Sequence, residues 1–282
     1  MPGPLRDQPD AERRLLLRTL VGAGIGVATG GTAHGFLYER HRVGVTRATL
    51  PVAGLPHALE GLRVALITDL HLSPMVPAED ISLAVSLATA ERPDLIILGG
   101  DYVSFADRRY IAPCAELLAP LAAPHGVFAV LGNHDDETEM SKALVRHGVG
   151  VLADARTTLT LRGERLELVG VRFWTKRTSE ITPLLRGATG WTLLVAHDPR
   201  RIDQAAALNL PLLLSGHTHG GQIVLPGVGA LAARKFPVAE GVLVRDNTTM
   251  FVSRGVGTIY VPCRIGCPPE VALLTLTRAR RA

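Results

Sequence analysis

Five short apolar runs in this sequence each end in side chains that can bind a metal ion or transfer a proton. The run Val127–Leu131 leads directly into Gly132, Asn133, His134 and Asp135. Four further runs end in the same way, and the polar side chains at their ends are Asp69, His71, Asp101, His197, His217 and His219. Short apolar runs are typical of strands buried on both faces, and α/β sheets place ligand sites at the carboxyl ends of their strands. We therefore predict that these side chains meet in one site.

The chemical types in this set indicate a pair of divalent cations. Carboxylate, amide and imidazole groups without thiolate suit Mn, Fe, Zn, Ni or Mg, and ligand type alone does not choose among these metals. Seven such side chains are too many for one ion and about right for two. Paired ions in enzymes lie about 3.5–4 Å apart and activate a water molecule for attack on phosphorus.

The composition and charge of the chain argue against a nucleic-acid binder. The 282 residues are 47% hydrophobic and 4% aromatic, so we expect a core built from Leu, Val, Ala and Ile. The net charge of +4 is modest, and part of it lies near the two ends, in Arg13–Arg14 and Arg278–Arg281. Because the sequence has no stripe of aromatic residues among basic ones, no nucleic-acid partner is expected.

The three cysteines do not form a disulfide framework. Cys114 falls in a predicted helix and is expected to be a small buried hydrophobe. Cys263 and Cys267 lie four residues apart and could bridge, bind a metal or have a structural or inert role. Because there is no second cysteine pair, a zinc site is disfavoured and the structural or inert role is preferred.

Helices alternate with the first ligand-bearing strands, which indicates parallel strands joined by right-handed crossovers. The predicted helices are Glu79–Glu91, Tyr110–Leu121 and Glu137–His147. After Gly148 the pattern changes to short alternating strands, predicted at Thr157–Leu161, Arg165–Gly170, Val242–Arg245, Met250–Ser253 and Val271–Thr277. These indicate a second, more antiparallel sheet. The predicted fold is α/β (α+β), a four-layer α-β-β-α sandwich of two mixed sheets in one domain.

The boundaries of the predicted domain follow from changes in composition. Val43–Leu50 reads as a half-buried strand and Pro51–Gly61 as a loop, so residues 38–61 form a lead-in. The catalytic domain is predicted to span residues 62–278, and residues 279–282 are a basic tail.

Residues 1–37 have the composition of an export signal or a membrane anchor. The paired arginines Arg13–Arg14 precede an apolar, Gly- and Ala-rich run over residues 19–37, which resembles a twin-arginine export signal. The alternative is an N-terminal helix packed on the domain, which its glycines disfavour by up to about 1 kcal/mol each. We expect the protein at the outer face of the cytoplasmic membrane, with membrane association in the cytoplasm as the alternative.

With their neighbouring glycines, the polar residues form five ordered blocks that resemble the signature of the calcineurin-like metallophosphoesterases. The blocks are Asp69-x-His71, Gly100-Asp101, Gly132-Asn133-His134-Asp135, the single His197 and Gly216-His217-x-His219. Taken alone, His197 would be read as an ordinary core or loop histidine, and Asp69 or Asp101 as a turn or helix cap. The complete ordered set is highly specific, and the fold that the resemblance implies agrees with the sandwich predicted above.

The resemblance also implies a role for each residue. It implies that Asp101 bridges two metals, the first held by Asp69, His71 and His219 and the second by Asn133, His197 and His217. It further implies that His134 faces the phosphate as general acid and that Asp135 orients its ring. Imidazole is the side chain able to supply a proton near neutral pH, which is consistent with the role of His134.

A narrower resemblance, to a bacterial membrane- or wall-associated branch of the family, covers most of the chain. It is carried by Gly54–Arg63, Gly216–Gln222, Val252–Gly257 and Gly266–Glu270. This branch includes phosphodiesterases and a UDP-2,3-diacylglucosamine pyrophosphatase, so the resemblance implies a phosphate-ester substrate that could be lipid-linked.

The sequence thus predicts a dinuclear-metal phosphodiesterase or pyrophosphatase in which metal-bound hydroxide attacks phosphorus and His134 protonates the leaving group. The alternatives are a phosphomonoesterase and a non-catalytic metal-holding protein that binds envelope phosphates or lipids.

Two residues near the ligand blocks each allow two interpretations. Asp198 could support a ligand or cap a helix, and the cap is preferred. Trp174 could lie on a loop near the cleft or pack beneath one.

Overall fold

The computed structural model describes residues 30–279, which form two six-stranded mixed sheets and a separate hairpin. Strands are numbered in chain order. From one edge to the other, the first sheet consists of β1 (Gly44–Val52), β14 (Glu270–Arg278), β2 (Arg63–Ile67), β3 (Leu95–Leu98), β4 (Val127–Ala129) and β5 (Gly150–Val151). Its neighbouring strands are parallel except for β14 and β2, which are antiparallel.

The second sheet is also mixed, with antiparallel pairs at both of its edges. It consists of β12 (Gly241–Arg245), β13 (Thr248–Val252), β9 (Leu212–Ser215), β8 (Trp191–Ala196), β7 (Glu164–Val171) and β6 (Ala155–Leu161). The pairs β12–β13 and β6–β7 are antiparallel, and the inner pairs are parallel. The separate hairpin consists of β10 (Val224–Leu225) and β11 (Gly229–Ala230).

Five of the described α-helices cover the outer faces of the two sheets. The first described helical residues, 30–37, belong to α1. The others are α2 (Ala78–Ala90), α3 (Ile111–Leu118), α4 (Glu137–Arg146), α5 (Thr178–Ile181) and α6 (Ile202–Ala207). Helix α3 ends earlier than predicted because Pro120 has no backbone N–H to donate and therefore cannot continue the helical hydrogen bonds. Helix α4 begins where the side chain of Asp136 accepts the backbone N–H groups of Thr138 and Glu139.

Three apolar clusters establish the order of the layers. One lies between the sheets and includes Leu66 and Ile97 from the first sheet with Leu193 and Leu214 from the second. A second cluster joins the outer face of the first sheet to α2, α3 and α4, and a third joins the outer face of the second sheet to α5 and α6. The predicted four-layer α-β-β-α sandwich of two mixed sheets is therefore confirmed.

Two strands lie differently from the prediction. The sequence pattern predicts Val271–Thr277 in the second sheet, but β14 pairs with β1 and β2 in the first sheet. Alternation of apolar and polar residues identifies a strand without identifying its partners, which is why the assignment was wrong. The predicted lead-in strand, which continues to Val52 into the predicted loop, is β1 and pairs with β14 along its whole length.

Most of the predicted export signal or anchor, residues 1–37, lies outside the described residues, as does all of the basic tail except Ala279. Within residues 30–279, no helix is long and apolar enough to cross a membrane.

Candidate metal centre

The predicted ligands meet between the two sheets, at one end of the sandwich. Asp69 and His71 follow β2, Asp101 follows β3 and Asn133 follows β4, all in the first sheet. The second sheet supplies the other three, because His197 follows β8 while His217 and His219 follow β9. The backbone N–H of His217 donates to both carboxylate oxygens of Asp69 at 3.0 and 3.1 Å, which ties the two sheets together at the site.

Five of the seven ligand residues have left-handed backbone conformations. Their φ angles lie between 50° and 72°, and the residues are Asp69, His71, Asp101, His217 and His219. Non-glycine residues adopt this conformation rarely, and it persists where the surrounding structure enforces it, as at functional sites. The neighbouring loops enforce it here, since the backbone N–H of Asp69 donates to Gly100 O at 2.9 Å and that of His71 to Asp101 O at 3.0 Å.

Asp69, His71 and His219 form the first of two groups, among the described residues, that could hold a metal ion. The Nε2 atoms of His71 and His219 are 3.2 Å apart, and Nε2 of His219 is 3.5 Å from Oδ1 of Asp69. All three side chains are buried. Two imidazole nitrogens and a carboxylate oxygen therefore converge on one point, as in a cation site.

Asp101, His197 and His217 form the second group. Nε2 of His197 lies 3.1 Å from Oδ2 of Asp101 and 3.2 Å from Nδ1 of His217. The same Oδ2 lies 3.4 Å from Nε2 of His71 in the first group. Asp101 thus stands between the two groups, where the bridging ligand was predicted.

Asn133 provides an independent test of whether the residues fit a metal. Its Oδ1 atom is buried, and no hydrogen-bond partner for it exists in the described part of the chain. A buried carbonyl oxygen without a partner is destabilising by about 1–3 kcal/mol, so such an atom usually has a ligand. The donor set of carboxylate, amide and imidazole fits two borderline-to-hard divalent cations.

The second nitrogen of each of three histidines contacts a polar group that orients the ring. Nδ1 of His197 is 2.7 Å from Gly99 O, Nδ1 of His219 is 3.4 Å from Gly257 O, and Nδ1 of His71 is 3.4 Å from the Ser104 hydroxyl. A contact from Nδ1 to a carbonyl oxygen places the proton on Nδ1 and leaves Nε2 free to bind a cation.

Burial keeps most of these imidazoles neutral, which is the form that binds metals. Burial lowers the pKa of His71 to about 4 and that of His217 to about 3. His197 differs, because burial would lower its pKa but the adjacent charge of Asp101 raises it to about 10. Burial raises the pKa of Asp69 to about 6. Bound cations would favour the ionised carboxylates and the neutral rings.

Two glycines allow the loops to approach the carboxylates. A Cβ atom on Gly132 would lie 2.0 Å from Oδ1 of Asp101, and one on Gly216 would lie 2.4 Å from Oδ2 of Asp69. Any other residue at these positions would displace the carboxylates, as expected for glycines beside a ligand cluster.

His134 lies at the mouth of the site and is half-buried. Its ring is 5.1 Å from that of His71, centroid to centroid, and its Nδ1 accepts the backbone N–H of Phe105 at 3.2 Å. Burial lowers its pKa. A ring that accepts at Nδ1 carries its proton on Nε2.

Asp135 has a different role from the predicted one. Its buried carboxylate accepts the backbone N–H groups of Asp101 and Tyr102 at 2.8 Å and of Gly132 at 2.9 Å. Its hydrogen bonds all go to the backbone within the described residues, so the prediction that it orients the His134 ring is wrong. Adjacent side chains diverge in this tight loop, and the carboxylate holds the Asp101 and Asn133 loops together.

The sequence did not indicate Arg264, which supports the centre from behind. Its guanidinium is fully buried and donates to the carbonyl oxygens of Gly257 at 2.6 Å, Arg254 at 2.9 Å and Gly255 at 3.1 Å. Gly257 in turn donates its N–H to Asp69 O at 2.7 Å. Because Arg264 belongs to none of the ligand blocks, the sequence alone does not indicate that it supports the loop behind Asp69.

The structure also shows the surroundings of the three cysteines, Asp198 and Trp174. Cys114, Cys263 and Cys267 are free and buried, and the thiol of Cys267 donates to His219 O at 3.2 Å. Asp198 caps a short helical turn by accepting the N–H of Arg200 at 3.0 Å, which confirms the preferred alternative. Trp174 does not pack beneath a loop, because it is 62% exposed.

A cleft of about 450 Å³ opens directly from the metal-binding groups. Its walls beyond the centre are mainly apolar, and its one lysine among the described lining residues is Lys235. The apolar lining includes Leu225, Leu231, Phe236, Ile259 and Tyr260. These residues follow the last metal block in the sequence and were not predicted to belong to the site.

Comparisons with known proteins show which family and which proteins this chain is similar to. The family described as calcineurin-like phosphoesterase matches residues 62–221. "Uncharacterized metallophosphoesterase YkuE" of Bacillus subtilis (strain 168) is 29% identical over 277 residues, covering 94% of this chain and 97% of that protein. "Phosphodiesterase YaeI" of Escherichia coli (strain K12) is 34% identical over 226 residues, covering 76% and 82%. A solved structure described as a novel archaeal phosphodiesterase is 13% identical, with a TM-score of 0.41, and covers 70% of this chain and 87% of that one.

Proposed function

We propose a specific reaction for this chain, which belongs to the calcineurin-like phosphoesterase family and is a metal-dependent phosphoric ester hydrolase. The proposed reaction is hydrolysis of a phosphodiester or diphosphate bond in a substrate that carries an apolar substituent. Among the similar proteins, the one from Escherichia coli named a phosphodiesterase supports the type of bond.

One observation carries this proposal, namely the apolar cleft that begins at the two metal-binding groups. A phosphate bound at the groups would place one ester substituent in this cleft, against Leu231, Phe236 and Tyr260. A monoester with a small leaving group would leave these apolar walls in contact with water. The cleft therefore favours a substrate with an apolar substituent, and the choice of a diester rests on the named phosphodiesterase relative.

The chemistry at phosphorus divides between the metals and His134. Bound divalent ions would neutralise phosphate oxygens and lower the pKa of a coordinated water molecule. We propose that Asp69, His71 and His219 hold one ion and that Asn133, His197 and His217 hold the other, with Asp101 shared between them. His134 would donate from Nε2 to the leaving oxygen.

The hydrogen bond from Phe105 adds a constraint to this role. It favours the neutral ring, which can donate a hydrogen bond but is a weak acid. Full proton transfer from an imidazolium requires Phe105 N–H to release Nδ1. Because Phe105 is 58% exposed, we propose that its loop moves when substrate binds and breaks this hydrogen bond.

We also propose that residues 1–37 hold the protein at the outer face of the cytoplasmic membrane after twin-arginine export. The paired arginines and the apolar run that follows them support this location. Protease treatment of intact spheroplasts should digest the full chain if it is exported. Protection until lysis would indicate the cytoplasmic face instead.

Hydrolysis of matched chromogenic esters tests the proposed reaction. The full chain is stripped of metal, supplied with Mn, Zn, Fe, Ni or Mg singly, and assayed on bis(4-nitrophenyl) phosphate and 4-nitrophenyl phosphate, with Asp101→Asn as the control. We expect metal-restored activity that is greater on the diester and absent from the variant. Greater activity on the monoester would indicate a phosphomonoesterase. Two bound metals without turnover of either ester would favour the binding-protein alternative.

A further inference from the structure

We propose that the mouth of the cleft docks on the surface of an anionic lipid bilayer through a rim of exposed apolar side chains. The rim consists of Leu225, Val228, Leu231, Tyr260 and Val261. The inference rests on the proposed function, because the rim surrounds the cleft in which the substrate is proposed to bind. Besides the proposed anchor in residues 1–37, the catalytic domain itself would then contact the membrane. This second contact would fix the orientation of the cleft relative to the bilayer.

The rim comes from two segments of the chain that meet at the cleft. Leu225, Leu231, Tyr260 and Val261 line the cleft, and Val228 lies beside them because its backbone N–H donates to Leu225 O at 3.1 Å. Its side chains are between 41% and 71% exposed. Gln222, which precedes the β10–β11 hairpin, donates from Nε2 to Ile259 O at 3.3 Å and to Val261 O at 2.8 Å. Clustered large apolar side chains at the mouth of a cleft are unusual on a protein surface and indicate an interaction site.

The charges around the rim complement an anionic surface. Residues 222–239 and 255–269 contain no Asp or Glu. Arg234 and Lys235 are exposed in the first of these segments, and Arg234 Nη2 donates to Val228 O at 3.4 Å. Apolar side chains together with exposed cations are the combination that binds the interface of membranes containing anionic lipid.

The predicted membrane anchor reaches the domain beside this rim. Residues 30–37 of α1 are the last part of that segment, and Gly35 O accepts the backbone N–H of Arg264 at 3.2 Å. A Cβ atom on Gly35 would lie 2.7 Å from Ile265 Cγ1 and 2.8 Å from Cys263 Sγ, so the contact leaves no gap. Cys263, which contacts Gly35, is two residues after Val261 of the rim. Gly30 lies only about 7.5 Å from Gly35 along the helix axis. An anchor that joins the domain at this point would hold the rim toward the bilayer.

The other end of the second sheet offers a matched control. Val244 on β12 is 56% exposed, comparable to Val228 at 47%. In the register of the sheet, Val244 pairs with Thr249 and Thr249 with Leu212, at the start of β9. His217 follows the other end of β9, so Val244 lies away from the metal centre and the rim.

A depth measurement with tryptophan tests the orientation directly. Both native tryptophans are replaced (Trp174→Phe and Trp191→Phe), and Val228→Trp or Val244→Trp is introduced into the full chain. Each protein is bound to phosphatidylcholine vesicles, with or without phosphatidylglycerol, that contain lipids brominated along the acyl chain. Because interfacial segments insert about 5–10 Å, we expect at least about twofold stronger quenching for Val228→Trp than for Val244→Trp. The difference should be larger with phosphatidylglycerol.

Equal quenching at the two positions on vesicle-bound protein would overturn the proposal, because the anchor alone would then account for binding. Failure of the full chain to bind either vesicle would also overturn it. Hydrolysis of soluble bis(4-nitrophenyl) phosphate by the same proteins reports on the proposed function separately. Retained diesterase activity with equal quenching would reject the membrane-facing rim and leave the proposed reaction standing.

Discussion

The metal centre and the rim of the cleft are built by different means. The centre is buried, and its ligands are held at strand ends by backbone hydrogen bonds and by left-handed residues such as Asp69 and Asp101. The rim is exposed and lies on a two-strand hairpin, the helical turn that begins at Leu231 and the loop around Tyr260. This difference implies a rigid part that performs the chemistry and an adaptable part that selects the substrate. Substitutions in the centre should therefore affect kcat and metal binding, and those in the rim should affect KM.

The largest effect is expected for Asp101→Asn, which removes the carboxylate between the two groups. Loss of several kcal/mol of charge stabilisation corresponds to a decrease in kcat of about 10³-fold or more. Steady-state kinetics at saturating metal measure it. A kcat within tenfold of the wild-type value would show that Asp101 does not link the two groups.

His134→Ala should lower kcat by about 10²–10³-fold, because it removes the donor to the leaving oxygen. Metal stoichiometry should not change, since His134 belongs to neither metal-binding group. Comparing the loss of kcat on a nitrophenyl diester with the loss on an alkyl diester tests whether His134 is the proton donor. The better nitrophenolate leaving group needs less proton donation, so the alkyl ester should lose more rate. An equal loss on both esters would contradict the proposed role.

Arg264→Lys should weaken metal binding by about 10–100-fold, as is typical when support behind a metal ligand is lost. Lysine keeps the charge but has a single nitrogen, whereas the guanidinium donates from Nη2 to Gly257 O and from Nη1 to Cys267 O. Calorimetric titration with Mn measures this change, with the exposed Arg108→Lys as the control. Wild-type affinity in Arg264→Lys would show that the Gly257 loop is held by other contacts.

The smallest effect is expected in the rim. Leu231→Asn should raise KM about tenfold for a diester with a long alkyl substituent, because apolar burial of this size is worth about 1–3 kcal/mol. It should leave kcat almost unchanged, and the exposed Val242→Asn is the control. A lower kcat with unchanged KM would place Leu231 in the rigid part and remove the distinction between the two regions.

The same two regions differ in how far the sequence predicts them. The ligand blocks could be found because parallel strands deliver their carboxyl ends to one place, and Gly132 and Gly216 marked the close approaches. The layer order followed from the buried strands and the helices between them. In both cases the signal is local, since each strand and its polar end are adjacent in the chain.

What the sequence did not reveal depends on contacts between distant segments. The strand Val271–Thr277 has the alternation of a strand in either sheet, and only the pairing of β14 with β2 decides the matter. Asp135 follows His134 directly, yet its carboxylate turns to the backbone of another loop. Arg264 and the rim around Tyr260 lie outside the metal blocks and have no pattern of their own.

The most direct test of a centre shared by two metals is electron paramagnetic resonance of the metal-stripped full chain titrated with Mn. We predict two Mn ions per chain and the spectrum of an exchange-coupled pair, because Asp101 stands between groups whose ligand atoms are 3.1 and 3.4 Å from its Oδ2. His197→Ala should bind one ion and give an uncoupled spectrum. A single Mn ion in the wild-type protein, or two uncoupled ions, would contradict the account.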